Sequence, residues 1–204
     1  MKETKIQFSD REIDLLSNAE IILTKNKALE KVKAMLEEVA EMQMDFISKK
    51  TLLLNMNIFK TPAKISKGEN YLGLPYLVLD YPRNFSNHNI FAIRTMFWWG
   101  RSFSTTLHLS GEYLQMREQV SQHFKLLQAA DFLVCINQDQ WVHHFEDSNY
   151  KAVRLMNEKE FGAILEELPH IKIAANWPLS DWHDAATNLF EGWKKLMAIA
   201  GLIS

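Results

Sequence analysis

Apolar residues recur at three- and four-residue spacing over the first fifty positions and at two-residue spacing in several runs after residue 75. The chain therefore reads as helices first and strands afterwards. Residues 9–24 predict a helix. Ser9 stands before it with Glu12 three residues on, the capping-box pattern, and Ile13, Leu16, Glu20 and Leu23 follow on one face. "TKNK" (24–27) is expected to interrupt it. A longer helix is predicted from about Lys27 to about Ser48, with Leu29, Val32, Leu36, Val39 and Phe46 as its apolar stripe and Glu30, Ala34, Glu37 and Glu41 outside. Such a stripe packs on the body of the protein or forms a short coiled-coil seam; the former is the expectation.

Residues 51–61, "TLLLNMNIFKT", fit the end of a helix, an irregular segment or a strand. Lys67-Gly68-Glu69-Asn70 reads as a turn. Tyr76 to Tyr81 is β-rich, and Pro75 and Pro82 are expected to bound it because proline lacks the N–H that a ladder needs. "NFSNHN" is a loop. Ile90 to Trp99 and Ser102 to Leu109 form a hairpin around Gly100-Arg101, a pair that suits a type II′ turn. On its return strand Phe103, Thr105, Leu107 and Leu109 share one face, and Ser104, Thr106 and His108 share the other. A helix with Tyr113, Met116, Val120, Phe124 and Leu127 inward comes next. "DFLVCINQDQWVHHF" then predicts a second hairpin. "NEKEFGAILEEL" is a short helix stopped by Pro169, "IKIAA" a strand, and a final helix starts at Ser180 or Asp181 with Trp182, Ala186, Leu189, Trp193 and Met197 along it.

This order predicts an α+β fold in one domain spanning 1–204, with residues 1–50 as a helical part and 62–204 as a sheet with helices. The expected sheet is antiparallel, with about five or six strands and two hairpins, flanked by N-terminal helices and a C-terminal helix.

Composition narrows the functional classes. With 47% hydrophobic and 24% charged residues the chain is that of an ordinary globular protein, and 6 Trp and 12 Phe supply a large core. A net charge of −2 argues against a nucleic-acid partner. The start carries no signal-peptide stretch and no window reaches the ~20 apolar residues of a membrane span, so the expectation is a soluble, cytoplasmic protein with no membrane partner. Cys135, in "FLVCI", is read as core packing. Gly-rich phosphate loops, CxxC, HExxH and GxSxG are all missing from the sequence. Nothing points to a cofactor.

Candidate chemistry gathers on the first hairpin. Arg94 and His108 fall on its polar face, beside Thr106 and Ser104. Arg94 offers a planar fork for an anion, and His108 an acid–base group near neutral pH. Asp80 and Arg83 join them if the Tyr76–Tyr81 strand lies in the same sheet. Trp98 and Trp99 must point to opposite faces, and Trp98 shares the face of Arg94. The same residues also fit a purely structural role, an Asp80–Arg94 salt bridge between strands. His143, His144, Glu146 and Asp147 resemble a metal cluster, but adjacent residues diverge in a strand and no metal is expected. Asp181 and Asp184 suit a helix dipole without catalysis. Three functions remain in view: a module that binds a small anionic ligand or a protein through the 90–110 hairpin face; an enzyme with His108 as acid or base and Arg94 holding an anionic substrate; and an oligomeric interaction protein, such as a homodimer, joined through its helices.

Overall fold

The computed structural model describes residues 6–49 and 57–203. Helix α1 (Asp10–Ser17) starts at the predicted cap: Ser9 Oγ accepts from the Glu12 N–H, and the Glu12 carboxylate accepts from the Ser9 N–H (2.7 Å). The break comes at Asn18, earlier than expected. Its side chain accepts from the Glu20 N–H (3.0 Å) and so caps a new helix, α2 (Ala19–Ser48). "TKNK" lies inside α2; with no Gly or Pro it has nothing to stop a helix, and Lys25 pairs with Glu69 (2.7 Å). Leu29, Val32, Leu36 and Val39 are buried as predicted, and this stripe packs into the main core. Of the ambiguous 51–61 stretch, residues 51–56 lie outside the described residues, and Asn57–Phe59 is a 3₁₀ turn.

The strands are β1 (Lys64–Tyr71), β2 (Leu74–Phe85), β3 (Ile90–Trp98), β4 (Ser102–Ser110), β5 (Leu133–Cys135), β6 (Tyr150–Ala152) and β7 (His170–Pro178). They form one antiparallel sheet in the order β1-β2-β3-β4-β7-β5-β6. The α+β reading holds, with seven strands among the described residues instead of five or six. The extra one is β1, where a turn was expected over 67–70. Gly68 is tolerated inside it because the Tyr76 ring of β2 lies where a Cβ would be. The turn falls at Leu72-Gly73, both with positive φ, and Tyr71 pairs with Leu74 around it. Strand β2 runs through both prolines. Its register shifts between Asp80 and Arg83, at the cis Tyr81–Pro82 bond, so Pro82 occupies an irregularity and not a ladder position.

The β3–β4 hairpin closes with Trp98 opposite Ser102. Its loop is Trp99-Gly100-Arg101, one residue longer than a type II′ turn. Gly100 takes the positive φ (+67°), and the Arg101 N–H donates to the Trp98 carbonyl (3.0 Å). The following helical run is split into a 3₁₀ turn over 111–116, α3 (Arg117–Gln122) and α4 (Phe124–Ala129), with Tyr113, Met116, Val120, Phe124 and Leu127 all buried. The second hairpin departs most from expectation. Its pairing is β5 with β6, and residues 136–149 form an irregular strap between them in place of a strand. Helix α5 (Glu158–Glu167) carries a capping box from Asn157, and α6 (Ala185–Ile199) begins after a 3₁₀ segment over 179–184 that holds Trp182.

Alternation along β2, β3, β4 and β7 puts Leu77, Leu79, Phe91, Ile93, Phe103, Leu107, Ile171 and Ile173 on one face. These residues, α2 and α6 build the main core. At the crossing of α6 and β4, Gly192 lets the backbones approach: a Cβ there would lie 2.7 Å from Thr105 Cγ2. Beside it Trp193 is fully buried, stacks on Phe190 (5.9 Å) and Tyr81 (6.5 Å), and donates from Nε1 to the Tyr81 carbonyl (2.7 Å). Among the described residues no helix is long and apolar enough to cross a membrane.

Replacing Trp193 removes both a fully buried indole and its side-chain hydrogen bond from α6 to β2. Trp193→Ala is expected to lower stability by ~3–5 kcal/mol, read as a drop in the urea midpoint at unchanged slope.

Candidate functional site

The face of the sheet away from α2 and α6 is polar in its middle, and it is covered. Alternation puts Asp80, Arg94, Thr106, His108 and Lys172 on it, in neighbouring strands: Asp80 opposes Arg94, Arg94 opposes Thr106, and His108 opposes Lys172. The strap 136–149 lies over them. The Asn149 side chain shapes it, donating to the carbonyls of Val142 (3.3 Å) and His144 (2.6 Å). Tyr71 Oη, at the end of β1, accepts from the His143 N–H (2.6 Å).

Arg94 and Asp80 form a two-pronged ion pair, Nε to Oδ1 (2.9 Å) and Nη2 to Oδ2 (3.0 Å). The remaining Nη1 donates to His143 Nε2 (3.3 Å). The fork that sequence offered to an anion is thus engaged within the protein. His108 is buried, and its Nε2–H donates to Gln140 Oε1 (3.0 Å), with the Trp141 ring edge-on at 5.7 Å. Among the described residues no carboxylate orients it; Asp80 is held by Arg94. Arg83 is directed elsewhere, its Nε donating to the Pro62 carbonyl (3.0 Å). Trp98 is buried with Val78 and Met96 under Tyr71, and donates to the Tyr71 carbonyl (3.3 Å). The structure therefore joins Asp80, Arg94 and His108 in one covered layer, leaves Arg83 outside it, and encloses Trp98 beside it.

Two members of this layer, Lys172 and Asn149, escaped the sequence reading, and a third, His143, was noted there only for its likeness to a metal ligand. Lys172 was detectable, since a lysine between Ile171 and Ile173 must point to the opposite face. It is 1% exposed, its ammonium donates to the Val142 carbonyl (2.5 Å), and it lies 5.4 Å from the Tyr150 ring centre. Among the described residues it enters no ion pair with a carboxylate. Burial pushes its pKa down from 10.5 to about 8, with the Arg94 charge adding to the effect. Burial and then the positive charge of Lys172 lower His143 to about 2, His108 to about 3 and His170 to about 4. All three imidazoles are neutral near pH 7.

Cys135 invites a catalytic interpretation and does not support one. Its thiol lies 3.7 Å from His170 Nε2 and 3.5 Å from Asn149 Oδ1. Burial raises the thiol pKa while it lowers that of His170, so no thiolate–imidazolium pair forms. His143 faces Arg94 and His144 faces Glu146 (3.9 Å), so the two imidazoles do not converge.

The second candidate lies on the helix side, at the tip of the same hairpin. A groove of about 430 Å³ runs between α2, the tip and the 179–184 segment, lined by Ala28, Val32, Phe97, Trp99, Phe103 and Trp182, with Lys31 as its charged side chain. Trp99 also lines a neighbouring groove of about 630 Å³ with Ile21, Leu74 and Pro75. Sequence reasoning placed Trp99 opposite Trp98 but followed Trp98.

No protein-family model matches the chain, and neither a curated protein nor a solved structure matches it significantly.

The buried layer has a signature in pH. His108, His143 and His170 hold folded pKa values far below the ordinary 6.5. Their contribution to stability is complete above pH 6.5 and is lost progressively as pH falls through about 4, 3 and 2, because above each folded pKa only the unfolded chain takes up the proton. Urea unfolding near pH 5 should therefore show uptake of close to three protons. Lys172 acts at the other end: stability rises between pH 8 and 10.5, where the folded lysine has already lost its proton. Lys172→Met should raise stability at pH 7 by about 1–3 kcal/mol and flatten that alkaline rise, measured as urea midpoints against pH.

Proposed function

We propose that the protein is a non-catalytic binding module that receives an apolar segment of a protein partner in the groove at the tip of the β3–β4 hairpin. One observation carries this reading. The groove presents large apolar rings, two of them tryptophans, on a surface where Trp182 is still 37% exposed. Trp-rich concave patches of this kind are where protein partners find most of their binding energy. At about 430 Å³ it takes a few side chains of an amphipathic helix, the usual occupant of an apolar groove beside a helix.

The alternatives draw less support. An enzyme built on His108 needs a proton donor or acceptor within reach of substrate, and His108 is enclosed on Gln140. A small anion at Arg94 must displace Asp80 from a two-pronged pair. We assign the module to the cytoplasm, where its buried Cys135 thiol suits a reducing environment.

The test uses 8-anilinonaphthalene-1-sulfonate (ANS), an apolar anion suited to the rings and to Lys31. In dilute solution the folded protein should bind it with a rise in fluorescence, and Ala28→Trp, which fills the groove, or Trp182→Ala, which removes a wall, should each weaken binding several-fold with an unchanged melting temperature. Equal binding by both variants would overturn the assignment.

A further inference from the structure

We infer that the strap 136–149 is an autoinhibitory cover, which fills with its own neutral acceptors a second binding site, on the polar sheet face, for a free phosphate-like oxyanion. This site is independent of the groove. Three donors on three neighbouring strands meet the strap: Arg94 Nη1 from β3, His108 Nε2–H from β4 and the Lys172 ammonium from β7. Residues 140–143 answer all three. His143 Nε2 accepts from Arg94 (3.3 Å), Gln140 Oε1 from His108 (3.0 Å) and the Val142 carbonyl from Lys172 (2.5 Å). Not one of these acceptors carries charge. Arg94 and Lys172 stand against the single carboxylate of Asp80 in the layer, so one buried positive charge is left without a counter-charge. Hydrogen bonds to an ionised acceptor are roughly twice as strong as those to a neutral one. An oxyanion with several oxygens offers the same set of acceptors and supplies the missing charge.

The strap is also fastened in a way that lets it lift. Its base is closed by the pairing of Cys135 with Tyr150 and by the Ile136 N–H donating to the Asn149 carbonyl (2.9 Å), so residues 137–148 form a loop that moves as one body. None of residues 136–148 is buried, whereas Asp80, His108 and Lys172 beneath them are. Hydrogen bonds more than apolar packing therefore hold the strap down, and an anion can take those bonds over. With the strap in place an anion has to displace Asp80. With it lifted Arg94 Nη1 is freed, and Asp80 keeps its two-pronged pair. Without an anion the bared charges draw the strap back, so the closed form is the resting one. A ligand that binds only beneath the lifted strap shifts the balance toward opening. The strap's exposed Asp139, Glu146 and Asp147 repel an anionic lipid surface, which favours a soluble oxyanion over a lipid headgroup.

The test is hydrogen exchange of the full chain, read by mass spectrometry, in tens of millimolar inorganic phosphate and in chloride of the same ionic strength. Residues 137–148 are expected to exchange several-fold faster in phosphate, with β3 and α6 unchanged. Lys172→Met, which keeps the layer packed without its charge, should lose the response. Tyr71→Phe keeps the ring against Trp98 and removes the hydroxyl that holds the His143 N–H, so it should respond at several-fold lower phosphate. A response in Tyr71→Phe alone supports the site, with the wild-type strap closed more tightly. Equal exchange in phosphate and chloride for both proteins, or a Lys172→Met variant that responds like the wild type, overturns it. Phosphatidylserine vesicles should leave the strap unchanged; a strap that loosens with vesicles and not with phosphate overturns the assignment to a free oxyanion.

Discussion

The two-pronged pair between Asp80 and Arg94 is the interaction on which the rest of the polar layer depends. A guanidinium in the middle of a covered sheet face must be neutralised and must have its donors filled, or it costs several kcal/mol. Strand pairing supplies the carboxylate directly opposite, and His143 on the strap fills the remaining donor. Once that face is closed, the neighbouring His108 and Lys172 have to be satisfied from the strap as well. Gln140 serves His108, and the Val142 carbonyl serves Lys172. The strap has no ladder of its own because its backbone groups are spent on Asn149, Tyr71 and Lys172.

Much of this was legible in the sequence where local rules suffice. The cap at Ser9, the α2 stripe, the β3–β4 pairing and the helices near 113–127 and 158–167 follow from spacing and capping chemistry that act within a few residues. The face shared by Arg94, Thr106 and His108 followed from alternation alone. What alternation cannot supply is the cover. "QWVHHF" has the composition of a strand, and only contacts with Tyr71 and Lys172, far away along the chain, hold it as a strap. For the same reason a polar face that reads as solvated, or as a site, is in fact an interior.

The β-strand limits failed for a related reason. Proline at 75 and 82 and glycine at 68 argue locally against strand, yet β2 and β1 run through them. The Tyr76 ring covers Gly68, and an irregular register accommodates Pro82. Tertiary packing outweighed local propensity in each case. At the N-terminus the opposite holds. There the local signals for helix are obeyed, but no residue of α1 is buried among the described residues, and the apolar stripe that would normally announce a core position remains at the surface.

The hydrogen bond from the His143 N–H to Tyr71 has a wider meaning for how the molecule comes apart. The strap leaves the sheet at β5, near one edge, and is tied to the end of β1, the opposite edge strand. Edge strands are ordinarily the first elements to fray, each independently of the other. Here neither edge is independent: peeling β1 away surrenders the tie, and loosening the tie exposes charges that the middle of the sheet cannot leave bare. The two margins are thereby joined into one cooperative unit, and the molecule is expected to open as a whole or hardly at all.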